Sequence, residues 1–198
     1  MTIAADAVPR LWLDTLQRVA ARGAHELRNV LNGAAVNLEV VRSRAGRPGA
    51  DAASISHYAE TAAQELERVM SMTEAFLNLA RPPREPADVG AVIAQLASIL
   101  GPVAAADGGR LTLESGDEAR TAAGGEAVRL VAATVLLDAL GRGGAVHCQV
   151  AGDGEPVAEL RTERGPVVLE GEVAVAAADA GIRATPTADG ITLRFPAP

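Results

Sequence analysis

The stretch "RGAHELRNVLN", Arg22 to Asn32, places a histidine, a carboxylate, an arginine and two carboxamides inside a helix-forming run. An ordinary imidazole in water is largely neutral near pH 7 and keeps one ring nitrogen free as a nucleophile. Glu26, next to His25, is expected to accept a hydrogen bond from the other ring nitrogen and sharpen that nucleophile. On a helix, Arg28, Asn29 and Asn32 stand three, four and seven residues beyond His25 and share its face. Arg18 and Arg22 extend that face backwards, giving a row of donors around one imidazole. The small neighbours Ala21, Gly23, Ala24 and Gly33 would let another protein come close.

The bland reading is a solvated histidine on a charged helix face. A zinc reading is excluded, because a helical His-Glu-x-x-His site needs a second histidine where position 29 has Asn. His57 and His147 belong to other elements and show no ligand spacing. Cys148 is the one cysteine, so neither a disulfide framework nor a thiolate cluster is expected.

One long helix, from about Val8 to Arg44, must carry this row. Its apolar or small residues recur at Leu13, Leu16, Ala20, Gly23, Leu27, Val30, Ala34, Leu38 and Val41, a coiled-coil seam. Gly46, Pro48 and Gly49 break the pattern. A second helix follows from about Ser54, its expected N-cap, to Ala80, with Ile55, Ala59, Ala62, Leu66, Val69, Thr73 and Phe76 on one side. A hairpin of this length cannot bury both sides of its seam alone. Pairing with a second copy, a homodimeric four-helix bundle, is the expected remedy.

In "RPPREPAD", Arg81 to Asp88, three prolines stop the helix. The expected division is a hairpin over residues 1–81, a stiff linker over 82–88 and a second domain over 89–198. Beyond the linker the periods predict a helix from Asp88 to Ala106, a strand "RLTLES", a helix "GEAVRLVAATVLLDALG" capped at Gly141, and a strand pair "AVHCQVAG" and "PVAELRTE". A short helix near Glu172 to Ala180 and a closing hairpin "GIRATPTADGITLRF" complete it. The fold class is α+β: a helical hairpin followed by a small sandwich, helices on one face of a mixed sheet.

The 198 residues are 48% apolar and 22% charged, with only 2% aromatics and a net charge of −7. The acidic balance argues against nucleic acid as a partner. No apolar run reaches membrane-spanning length, and "MTIAADAVPR" lacks the basic start and apolar middle of a signal peptide, so a cytoplasmic protein without a membrane role is expected.

The word "HELRNVLN" resembles the H-box of sensor histidine kinases, usually His-Glu-Leu-Arg-x-Pro-Leu. Those kinases carry the phosphorylated histidine on the first helix of a dimeric hairpin. "VMSMTEAFLNLARPPREPADVGAVIAQLASIL" is similar to the end of that hairpin, its linker and the first helix of the ATP-binding domain. "VRLVAATVLLDALGRGG" stands where that domain has its N-box helix, and "GIRATPTADGITLRFP" resembles its final hairpin. The departures are as informative. Asp138 stands where an N-box asparagine would help hold magnesium and phosphates. No Asp-x-Gly-x-Gly or Gly-x-Gly-Leu-Gly follows, no room is left for a nucleotide lid, and "GRGGAVHCQV" is no phosphate loop. Val30 replaces the H-box proline.

The resemblance therefore implies a histidine phosphotransferase with a degenerate ATP-binding domain, relaying phosphoryl groups between response-regulator receivers through His25. It implies no bound cofactor or metal in this chain, with Mg²⁺ supplied by the receiver. Glu26 would orient His25, and Arg18, Arg22, Arg28, Asn29 and Asn32 would meet the phosphoryl group or the partner; a sensor histidine kinase is a further partner. Two other readings compete: a pseudokinase scaffold, with a receiver-phosphatase variant built on the Glu26-x-x-Asn29 pattern, and a working kinase with a divergent nucleotide site.

Overall fold

The computed structural model describes residues 7–48, 51–116, 118–152 and 154–198. Helix α1 (Ala7–Ala45) and helix α2 (Ala52–Ala80) form the expected hairpin. Asp51, not Ser54, caps α2: its carboxylate accepts from the amides of Ala53 and Ser54, each at 3.2 Å. Ser54 instead receives the Arg44 guanidinium, which also lies over the Tyr58 ring at 4.9 Å and ties the two helices together beside the turn.

The seam differs from the sequence pattern in an instructive way. Buried on α1 are Trp12, Thr15, Val19, Gly23, Glu26, Val30 and Ala34, while Leu13 and Leu38 are exposed. On α2, Ala62, Met72, Ala75 and Leu79 are buried, while Leu66, Met70 and Leu77 face outwards. Each helix thus carries two apolar stripes, and the leucine-rich ones are left bare in a single chain. The inward stripe of α1 includes polar Thr15 and Glu26, so hydrophobicity alone selects the wrong edge.

The second domain follows the expected order. Strand β1 (Ala87–Asp88), helix α3 (Val89–Ala106), strand β2 (Arg110–Ser115) and strand β3 (Arg120–Thr121) lead to helix α4 (Gly125–Gly141). Strands β4 (Ala145–Ala151) and β5 (Val157–Thr162), helix α5 (Gly171–Asp179), and strands β6 (Arg183–Thr187) and β7 (Gly190–Arg194) complete it. The main sheet runs β2-β4-β5-β7-β6, parallel between β2 and β4 and antiparallel elsewhere. Val146, Cys148, Val150, Ala158 and Leu160 alternate into the core, and Gln149 and Arg161 stay on the open face. Burial pushes the Cys148 thiol up to about 12.

Asp88 caps α3 through the Ala91 amide. By length and composition α3 is apolar enough to cross a membrane, contrary to the sequence expectation. Here it is a core helix, with Ile93, Leu96, Ile99 and Leu100 buried against β2, α1, α2 and α4. At the end of α4 the cap is Arg142 rather than Gly141, and Gly143 (φ 76°) and Gly144 (φ 84°) turn the chain straight into β4.

The linker is not a spacer. Residues 87–88 pair with β3, and the Glu85 carboxylate accepts from the Gly125 amide at 2.7 Å, capping a helix whose own N-cap, Gly124, has no side chain. One continuous core joins the two parts, running from Trp12, Val19, Ala75 and Leu79 into α3, α4 and the sheet.

Candidate functional site

α1 lies with its first half under the second domain and its second half beyond it. Trp12 and Val19 enter the shared core, and Arg10 pairs with Glu172 of α5 at 3.0 Å. Gly23 closes the contact: a Cβ there would stand 2.5 Å from the Phe76 ring of α2 and 2.6 Å from Ile99 of α3. Its smallness therefore serves packing of three helices and not the approach of a partner to His25. Arg22, on the other side, donates to the carbonyl of Leu137 in α4 at 3.5 Å, and its guanidinium also lies beside Gly141. Beyond this point the buried residues Val30 and Ala34 stand outside the shared core.

His25 comes just past that edge. It is exposed, and among the described residues it has no hydrogen-bond or ion-pair partner. Arg18, Arg28 and Asn32 are likewise exposed and unpartnered among the described residues, on the face the helical period assigns them. Among the described residues the donor row is therefore free except at Arg22, which already holds α4, and at Asn29, which donates to Glu26.

Glu26 departs from expectation. Only 8% exposed, it turns into the inward seam and accepts from the Asn29 amide at 3.3 Å. A residue one step along a helix is rotated about 100° from its neighbour, so Glu26 cannot lie beside the His25 ring on a common face. What it holds is Asn29. The arrangement is an open imidazole with a carboxamide oriented one turn further on.

Asp138 accepts from Arg142 at 2.7 Å, and Arg142 also donates to the Pro166 carbonyl at 2.8 Å. Arg142 to Gly144 alone separate α4 from β4. His147 sits on the open face of the sheet, its Nδ1 2.9 Å from the Thr112 hydroxyl, and His57 leans on Tyr58; neither adjoins His25. Among the described residues no group of three acidic, histidine or cysteine side chains is placed to hold a metal.

Sequence reasoning overlooked Arg129. Six per cent exposed, it donates from α4 to the carbonyls of Asn78, Leu79 and Arg81 at 3.1, 3.2 and 2.6 Å. These are unpaired carbonyls at the end of α2, where a cation is favoured. Burial lowers its pKa, offset in part by nearby Glu126 and Glu85. Trp12 lies 6.0 Å beneath the guanidinium. The signal was a lone arginine in the apolar run "AVRLVAATVLL".

No known protein family matches the sequence, and no curated protein matches it. Among solved structures the chain is similar to the histidine kinase domain of a blue-light activated histidine kinase from Erythrobacter litoralis. That likeness has 14% identity and a TM-score of 0.46 over 93% of this chain and 94% of that one. It is also similar to the histidine kinase AdeS of Acinetobacter baumannii, with 14% identity and a TM-score of 0.43 over 87% of this chain and 98% of that one.

Proposed function

We propose that the chain is a cytoplasmic histidine phosphotransferase acting on response-regulator receivers through His25. The observation that carries this reading is an exposed imidazole at the H-box position, unpartnered among the described residues and flanked by the free arginines Arg18 and Arg28. In the transfer, a ring nitrogen of His25 attacks the phosphorus of a receiver's aspartyl phosphate. The N–P bond forms as the acyl P–O bond breaks, the carboxylate leaves with that electron pair, and the second ring nitrogen keeps its proton. The reverse step loads a second receiver. Receivers bring their own magnesium and acidic cluster. Arg18, Arg28 and Asn32 are placed to meet the phosphoryl group or the partner.

ATP is not the donor in this reading. Asp138, an acceptor already paired with Arg142, stands where a triphosphate would need donors, and the short link from α4 to β4 leaves no lid. Calorimetry with ATP and magnesium should show no binding at millimolar nucleotide. The bare stripes of α1 and α2 fit a second copy, completing a four-helix bundle. Incubation with labelled phospho-receivers tests the whole: acid-labile label on His25 supports transfer, and its absence defeats it.

The Glu26–Asn29 hydrogen bond favours one further reading, a receiver phosphatase on a pseudokinase scaffold. There Asn29 positions water and Glu26 positions Asn29. Loss of receiver phosphate without label on His25 would select it.

A further inference from the structure

Arg22 belongs to two neighbourhoods at once. Its guanidinium reaches the C-terminal turn of α4, donating to the Leu137 carbonyl at the long distance of 3.5 Å and lying beside Gly141. Its Cα stands one helical turn before that of His25, a spacing that brings side chains within reach of each other. Of the arginines on this face, Arg22 alone among the described residues is engaged; Arg18 and Arg28 are free.

We propose that Arg22 is a latch between α1 and α4 that phosphorylation of His25 opens. The inference rests on the reading of His25 as a phosphoryl acceptor. A phosphoryl group there brings roughly two negative charges and three acceptor oxygens within one turn of Arg22. A charge-assisted, bidentate pair with phosphate outcompetes a single long bond to a neutral carbonyl. As Arg22 leaves, the negative end of α4 keeps only Arg142, itself paired with Asp138, and the last turn of that helix frays more readily. The remaining ties of the second domain, Arg129 on α2 and the core around Trp12 and Val19, lie away from His25 and hold. The change is thus a local loosening beside His25, by which the second domain registers the state of the histidine.

The full chain should be treated with phosphoramidate, which needs no receiver. The His25 nitrogen attacks phosphorus, the P–N bond breaks, and ammonia departs with its electron pair. Amide hydrogen exchange over residues 137–143 is then compared with the untreated protein. We expect exchange about fivefold faster after phosphorylation. Arg22→Gln should show that faster exchange beforehand and no further response, and Arg22→Lys should restore part of it. An unchanged rate in the labelled parent overturns the latch. So does a full response in Arg22→Gln, which would hand the phosphoryl group to Arg28. Failure of phosphoramidate to label His25 removes the trigger and overturns it too. Should phosphoramidate work and phospho-receivers not, the latch stands and the receiver assignment falls.

Discussion

The two halves of α1 share one period and one run of small and apolar residues, yet they do opposite work. Ahead of Gly23, the helix is clothed by α2, α3 and α4, and its Trp12 and Val19 are core. After Gly23, Leu31 and Leu38 are exposed and His25 stands open. The difference comes from what packs beside each half, not from composition. One turn earlier on the same face Arg22 is already held by α4, whereas His25 is exposed and clear of it.

If the outward leucines Leu31 and Leu38 of α1 and Leu66 of α2 are bare only because the chain is seen alone, association should cover them. The protein is expected to be a dimer by light scattering at micromolar concentration. Leu66→Asp should yield a folded monomer, because an unpaired carboxylate trapped between copies costs about 4 kcal/mol, whereas the same side chain in water costs little. A monomeric parent would mean that these stripes stay exposed, and a variant that stays dimeric would place the interface away from Leu66.

The clothed half depends on one cation. Arg129→Ala would leave three carbonyls at the end of α2 without their donor and open a void beside Trp12. A loss of about 3 kcal/mol is expected in denaturant unfolding. Two unfolding transitions in place of one would show that the second domain has come loose from the hairpin. Gly23→Ala tests the boundary itself. Its methyl must displace Phe76 or Ile99, both in the shared packing, at about 2 kcal/mol. An unchanged midpoint would mean that the three helices meet less tightly than these distances require.

Legibility in the sequence followed the same divide. β2 and α4 were readable to the residue, since a period of two and an apolar run bounded by glycines are local signals. The β1–β3 ladder was hidden, because a two-residue pairing across more than thirty positions leaves no local pattern and one strand lies within "REPAD". The stripe that α1 turns to its own chain is not legible from hydrophobicity, because it holds Thr15 and Glu26 while the outward one holds Leu13 and Leu38. For the site, position told that His25 would be open. It could not tell that Glu26 turns to Asn29 or that Arg22 is held by α4, both of which depend on neighbours brought in by the fold.

The smallest effect on stability carries the most about function. His25 touches no partner among the described residues, so His25→Ala should move the unfolding midpoint by less than about 0.5 kcal/mol, as exposed substitutions do. The same change should abolish acid-labile label from phospho-receivers, since the nitrogen that forms the N–P bond is gone. Asn29→Ala should spare that label and slow any loss of receiver phosphate. Glu26→Gln keeps an acceptor for the Asn29 amide at a buried position, so it should keep both properties if Glu26 only positions Asn29. Loss of labelling in Glu26→Gln would instead return the carboxylate to the service of the imidazole. If His25→Ala still strips receiver phosphate as fast as the parent, the open half of α1 works through Asn29, and the histidine is its bystander.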